Sequence, residues 1–347
     1  MKTSVPCFLL IAVIAAGCKK SGDTPSKAPD ASSSSSTPSV SSAPITGQAN
    51  DAALLKIQWP VGVRLLQHME LGQSMNLPTG NGAKQIQQEV TFGQDFSLTC
   101  LREREGGGHE VELEFIAANM SVMMGGNEAL AFDTRGEATG DESNPAVKPF
   151  RLMVGKKIKY LLDATNGVER VEGVKEFVEQ VLGGPGSSGN PMTSMFNEDY
   201  FKQMLGHTSD LPSAPVRPGA TWPSRKEVSM GPLGKAVLNL QFTFQRWEMR
   251  DNIRSAQITF EGNITPKSGD TNNVLGGVLT LQDGKASGKN WLDPARGTAT
   301  ETIMKLVMNM RMKTSGFVNP AAPNAGPSTP TTLTQDISIK LIEATRK

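Results

Sequence analysis

Cysteine, aromatic rings and net charge are all scarce in this chain of 347 residues. Its 3 cysteines are Cys7, Cys18 and Cys100. The first two belong to the extreme N-terminus, so Cys100 stands alone in the rest, and no disulfide framework can staple the fold. Aromatics make up 5% of the residues, while methionine is common at 16. A core must therefore be built mainly from aliphatic and thioether side chains. The 35 basic and 34 acidic residues nearly cancel. A balanced chain lacks the electrostatic footprint of a nucleic-acid binder or of a protein docked on anionic lipid. After the N-terminal segment no apolar run approaches the ~18 residues of a membrane-spanning helix.

Motifs of catalysis are missing too. There is no G-x-S-x-G, no Walker sequence and no H-E-x-x-H. His68, His109 and His207 fall in different elements, without ligand spacing, and read as surface histidines. Asp163 to Gly167 offers too few acidic oxygens for a calcium loop. Gly184-Pro-Gly186-Ser-Ser-Gly189 fits G-x-G-x-x-G by letter. It follows a helical pattern and contains proline, whereas a phosphate-binding turn follows a strand and opens a helix.

What is present begins at the N-terminus. Lys2, the apolar run Phe8 to Ile14 and the small residues Ala15-Ala16-Gly17 read as a signal peptide, residues 1–17. Cys18 follows at once, and the stretch resembles the lipobox of bacterial lipoproteins. That resemblance implies cleavage between Gly17 and Cys18, lipid of the palmitate type on Cys18 and an acylated new terminus. An ordinary secretory signal with a chance cysteine is the alternative. Lys19 stands where aspartate holds enteric lipoproteins at the inner membrane, so the resemblance implies the outer membrane, on its periplasmic face. Residues 18–53 include Ser32 to Ser36 and little to bury, and read as a disordered tether. Such a coil spans about 30 Å on average.

The body, 54–347, is dominated by period 2. Val63, Leu65, Met69 and Leu71 alternate with polar residues, as do Ile86, Val90, Phe92, Phe96, Leu98 and Cys100. Val111, Leu113, Phe115 and Ala117 follow Gly106-Gly107-Gly108 as the return strand of a hairpin. Parity then slips to Met120, Val122 and Met124, so a bulge is expected near Ala118-Asn119. Phe150 to Val154 and Ile158 to Leu162 read as short strands, and Asn166-Gly167 as a hairpin turn. Val174, Phe177, Val178, Val181 and Leu182 make one helical stripe, ended by Gly183. A second short helix follows Asn197, with Tyr200, Phe201, Met204 and Leu205 as its apolar side. The prolines of Leu211 to Trp222 make a stiff connector. Strands resume with Leu238 to Phe244, a bulge near Arg246, a turn at Asp251-Asn252, and Ala256 to Ile264. Asp283-Gly284 reads as another hairpin turn. Thr298 to Met312 is one strand, and Leu333, Ile337, Ile339 and Leu341 close the sheet. The expected fold is mainly β (α+β): a long antiparallel curved sheet or half-barrel with two short central helices. Halves 54–172 and 219–347 flank a helical segment, 173–218.

Tyr160-Leu-Leu-Asp163, Asn166-Gly167-Val168, Val171-Glu-Gly173 and the proline-spaced run ending in Gly219-Ala-Thr-Trp222 resemble a family of uncharacterised bacterial lipoproteins. Members share the lipobox, a Ser/Pro tether and a β-rich body. Typical members carry an acidic residue where Ala220 stands. The resemblance implies a fold and no mechanism. More distantly, the layout is similar to half-barrel carriers of lipoproteins or lipids in the envelope.

Met304, Leu306, Met308, Met310 and Met312 share one strand face. Soft thioethers at this spacing suit Cu(I), but no His or Cys lies nearby, so the stripe reads as core or as an apolar ligand face. Cys100 reads as a buried, inert thiol. Trp222 is expected on the Phe177 and Val181 stripe, or exposed as a partner anchor. The function expected is non-enzymatic: a membrane-anchored envelope lipoprotein, without cofactor or metal, that binds an apolar ligand or a partner protein. The alternatives are an assembly component without a small-molecule ligand and, less favoured, a hydrolase. Partners are the membrane through the N-terminal lipid, and a lipid or envelope protein; nucleic acid is not among them.

Overall fold

The computed structural model describes residues 50–79, 84–137, 144, 146–183, 196–205, 211–230, 233–267, 279–313 and 328–346. The signal and lipidation positions Gly17 and Cys18, and also His207, lie outside them. Twelve strands form one antiparallel sheet. They are β1 (Val63–Thr79), β2 (Lys84–Glu103), β3 (His109–Met124), β4 (Asn127–Asp133), β5 (Lys157–Leu162), β6 (Val168–Glu172), β7 (Thr221–Ser229), β8 (Lys235–Arg250), β9 (Ile253–Pro266), β10 (Leu279–Asp293), β11 (Thr298–Lys313) and β12 (Ser328–Arg346). Three helices lie among the described residues: α1 (Lys148–Met153), α2 (Val174–Leu182) and α3 (Glu198–Leu205).

The order is β6-β5-β3-β2-β1-β12-β11-β10-β9-β8-β7, with β4 attached to β3. The chain winds outward from β1 to β6, with α1 between β4 and β5, and then passes through α2 and α3. It restarts at the opposite edge with β7 and winds inward to β12. The first and last strands thus meet mid-sheet, from Val63 opposite Arg346 to Met75 opposite Leu333.

Two contacts show how far the sheet curls. Its edges β6 and β7 are ten strand spacings apart along the order, about 48 Å if flat. Yet α3, eight residues and so about 12 Å long, touches both. The second contact is a strap before β1. Ile57 O accepts a 2.9 Å hydrogen bond from Asn166 Nδ2 in the β5–β6 turn, and the next amide, Gln58 N–H, donates to Gly297 O at 2.8 Å in the β10–β11 turn. In a flat sheet β5 and β11 would lie about 24 Å apart. The sheet is therefore rolled into an open barrel whose lateral gap is filled by α3.

The strap, residues 51–62, crosses one end of this barrel. Asp51 O accepts from Trp247 Nε1 at 3.1 Å, and its carboxylate pairs with Arg254 at 3.3 Å. Ala53 bridges to Val216, and Gly62 N–H donates to Cys100 O. Leu55, Ile57 and Trp59 point inward and are buried, while Leu54 is exposed.

Several sequence expectations are corrected. Phe150 to Met153 is helix, not strand. Pro149 sits in its first turn, where a missing N–H costs nothing, and Phe150 and Met153 are buried together. Helices therefore number three among the described residues, not two. The bulge in β3 lies at Ile116, because Phe96 faces Phe115 while Asp95 faces Ala117. Asp283-Gly284 is not a hairpin but the interior of β10, just past a bulge between Leu281 and Asp283. Glycine is needed there for close approach: a Cβ on Gly284 would lie 2.8 Å from Val307 O. The chain turns at Asn166-Gly167, but only Asn166 has positive φ and the connection runs from Asp163 to Gly167, so it is not a two-residue type I′ turn. The turn at Asp251-Asn252, with positive φ at both residues, stands as expected. So do the bulge before Arg246 and the span of β11.

Candidate functional site

The inward face of the barrel is the feature with functional content. One row of cross-strand neighbours shows its character. From β7 to β4 it reads Trp222, Phe242, Phe260, Gly288, Met304, Ile337, Leu71, Phe92, Met120 and Phe132. Nine of these ten positions are apolar side chains, and Gly288 is small because Phe260 Cζ would lie 2.4 Å from its Cβ. β-Strands alternate faces, so a row that stays apolar across ten strands defines a continuous wall.

The helices furnish one part of this wall. Phe115 of β3 meets Phe177 of α2 at 5.4 Å and Phe201 of α3 at 6.4 Å between ring centroids; Phe92 of β2 meets Phe150 of α1 at 5.6 Å. Tyr160 of β5 is completely buried, and that burial pushes its phenol well above the ordinary value. The principal helix contacts fall on β3, β5, β6 and β7. The stretch from β12 to β9 presents Met304, Leu306, Met308, Met310 and Met312, flanked by Leu333, Ile337, Leu281 and Ile264. The five-residue β11 stripe is buried throughout, as a core or ligand face would be.

Within this wall lies a polar pair absent from the candidates drawn from sequence. Gln73 on β1 and Gln335 on β12 are direct cross-strand partners, both face inward, and they are 4% and 0% exposed. Gln335 Nε2 donates to Gln73 Oε1 at 2.9 Å. Gln73 Nε2 and Gln335 Oε1 have no partner among the described residues. Their signal is a gap in the apolar parity: Leu333 and Ile337 share a face on which residue 335 is glutamine.

Other candidates disperse. Cys100 is buried, and burial pushes its thiol up, away from the reactive thiolate. His68 pairs with Asp95 at 2.6 Å on the outer face, and Arg135 caps the same carboxylate. Burial alone would raise Asp95, but hydrogen bonds from His68 and Arg135 outweigh it and hold the carboxyl below its usual value. His109 lies apart, held below the ordinary imidazole value by burial. Among the described residues no three His, Cys, Asp or Glu side chains are grouped to hold a metal. Trp222 is half-buried and stacks on Phe242, rings 7° from parallel and 5.8 Å apart. Its stacking partner is on the next strand, and the ring contacts of Phe177 come from Phe115, Phe196 and Phe201. A groove of about 750 Å³ spans β7 to β10. Its side chains are mainly exposed and of both charges, such as Arg225, Glu261 and Lys285, with no buried group aimed into it.

The match that bears on identity covers residues 107–299, from the β2–β3 turn to the first residues of β11. This chain belongs to the family of unknown function DUF6263. The matched part of the DUF6263 fold includes the helices and both sheet edges, β6 and β7. No curated protein matches the chain. Among solved structures it is similar to one on lipid–protein interactions in lipovitellin, at 8% identity and TM-score 0.44. That match covers 83% of this chain and 26% of the other, so the chain spans about a quarter of that protein. It is similar to a Vibrio parahaemolyticus domain described as outer membrane lipoprotein-sorting, at 12% identity, 80% and 84% coverage and TM-score 0.15. It is also similar to the outer membrane protein OprG of Pseudomonas aeruginosa, at 9% identity, 83% and 96% coverage and TM-score 0.20. Likenesses at this level carry no functional argument. The geometry of the DUF6263 chain itself has to carry it.

The methionine stripe yields a first prediction. Met310 is buried between its cross-strand neighbours Leu281 and Thr331, and the Thr331 hydroxyl donates to Asn76 O. Met310→Leu conserves volume and is expected to change stability by less than about 1.5 kcal/mol, with Cu(I) binding unaltered. Titration of the purified protein with Cu(I) checks this. Tight binding abolished by the substitution would assign the stripe to metal.

Proposed function

We propose that this DUF6263 chain is a lipid-anchored envelope protein whose rolled sheet holds an apolar ligand within its interior. The observation that carries the reading is the ten-strand apolar row, which extends well beyond the strands that three short helices chiefly contact. An eight-stranded barrel already encloses space for side chains or one small ligand, and the interior widens with strand number. Eleven strands along the path give a wall broader than the part that α1 to α3, of 6, 9 and 8 residues, chiefly contact. Methionine suits such a wall, because its unbranched thioether repacks around guests of different shape. The lipobox resemblance at Cys18 supports the anchor, and the Ser/Pro-rich sequence ahead of the strap, which starts at Asp51 rather than after residue 53, supplies the tether.

The test uses the full-length Cys18→Ser chain, expected to fold without lipidation and to leave the membrane fraction, so that the anchor's own acyl chains are out of the assay. It is purified from its native host without detergent, extracted with organic solvent and analysed by mass spectrometry. Acyl lipid near one equivalent per chain is expected. A chain free of lipid but carrying one stoichiometric protein partner would replace this reading with that of an assembly component.

A further inference from the structure

We infer that the interior site takes an acyl chain bearing an amide, and that Gln73 and Gln335 recognise the amide. This rests on the ligand-holding interior proposed above and names the chemistry it selects. The two glutamines lie at the middle of the sheet, where β1 meets β12, one row from Met304 and Met308. Their cross-strand neighbours Val90 and Leu306 are apolar and buried. Their mutual hydrogen bond joins one amide nitrogen to one amide oxygen, and leaves the other nitrogen, Gln73 Nε2, and the other oxygen, Gln335 Oε1, without a partner among the described residues. Turning both amides over exchanges the residues' roles but leaves the same inventory. A buried polar atom left unpaired is costly, and a core lacking any need for these groups would be served as well by leucine or methionine.

The unmet pair is specific. A hydrocarbon satisfies neither group. An ester carbonyl accepts from Gln73 Nε2–H but gives nothing to Gln335 Oε1. A primary amide answers both, its C=O accepting from Gln73 and the N–H on the same edge donating to Gln335, while its acyl chain lies along the methionine wall. A site whose buried polar groups are left unpaired by the wrong ligand discriminates more strongly than an apolar pocket judging size alone.

The experiment measures displacement of diphenylhexatriene, a neutral polyene, from the full-length Cys18→Ser chain by dodecanamide, methyl dodecanoate and dodecane. The amide is expected to displace the probe at a concentration roughly tenfold lower than dodecane, with the ester between. Gln73→Met with Gln335→Met replaces both partners by isosteres, is expected to leave the fold intact, and erases that preference while dodecane still binds. Equal displacement by all three in the unsubstituted pair, or a preference that survives the double substitution, overturns the amide assignment while leaving the apolar ligand in place. Failure of diphenylhexatriene and dodecane to bind at all would instead remove the ligand-holding interior. The series on the unsubstituted pair needs no glutamine variant, so a double variant that fails to fold does not shield the proposal.

Discussion

Phe201→Ala is expected to destabilise the body by about 3–5 kcal/mol and to release α3 from both edges of the sheet. Phe201 is fully buried, and its ring lies 5.3 Å from Phe177, 5.2 Å from Tyr200 and 6.4 Å from Phe115 between centroids. An eight-residue helix has little stability of its own, since isolated helices need about 12–15 residues to be even marginal. What local order α3 has comes from its start. Asn197 Oδ1 accepts from the Tyr200 N–H at 2.8 Å, a cap, and Glu198 pairs with Lys202 one turn on. Together these contribute about 1–2 kcal/mol at most, so the aromatic contacts decide whether α3 stays. Because α3 is the element that bridges β6 and β7, its loss should appear at those two edges first. Denaturant titration measures the energy, and hydrogen exchange at β6 and β7 amides measures the place. Lys202→Ala, at a partly exposed pair, is the control and should cost under about 0.5 kcal/mol. A Phe201→Ala midpoint close to that control's would mean that α3 is not what closes the gap.

The parts of this fold legible in the sequence are those where a single strand buries one face. β11 carries Met304 to Met312 on alternate positions, and its span is readable to within a residue. The stripe of α2 and the left-handed Gly183 after it are equally plain. Short segments are ambiguous because they hold too few repeats of either period. Lys148–Met153 is six residues, less than two helical turns, so Phe150 and Met153 fit a strand as well as a helix. β4 buries Phe132 alone and offers no alternation to detect. Asp283-Gly284 carries the letters of a turn, but its glycine answers to close approach across the sheet.

Long-range placement is the larger gap. Nothing local announces that residue 73 will face residue 335, or that residues 57 and 58 will join turns from opposite sides of a rolled sheet. A pairwise polar site made across such a distance is visible one residue at a time only as a break in an apolar pattern. Each glutamine alone reads as a tolerable imperfection; together, buried, bonded to each other and with one amide atom each left over, they carry the proposed recognition.

The strap offers the second large effect. Trp59→Ala is expected to cost about 3–5 kcal/mol, although Trp59 precedes the first strand and lies in no sheet. Residues 54 to 59 alternate like a strand without ladder partners, with Leu55, Ile57 and Trp59 buried and Leu54 48% exposed. Hydrogen bonds from Asn166 and to Gly297 fix residues 57 and 58, and Asp51 anchors the start on Trp247 and Arg254. These ties are single bonds of roughly 1 kcal/mol each, so the inward side chains carry most of the attachment. Trp59 is the largest of them. Its removal should free the strap as a unit and uncover the end of the barrel that it crosses. Leu54→Ala, in the same segment but on the outward face, should change stability by less than about 0.5 kcal/mol. Hydrogen exchange should then rise across residues 51–62 in Trp59→Ala and stay unchanged in Leu54→Ala. Equal effects of the two substitutions would show that the strap is held by its backbone alone, and that the apolar interior does not extend to this end.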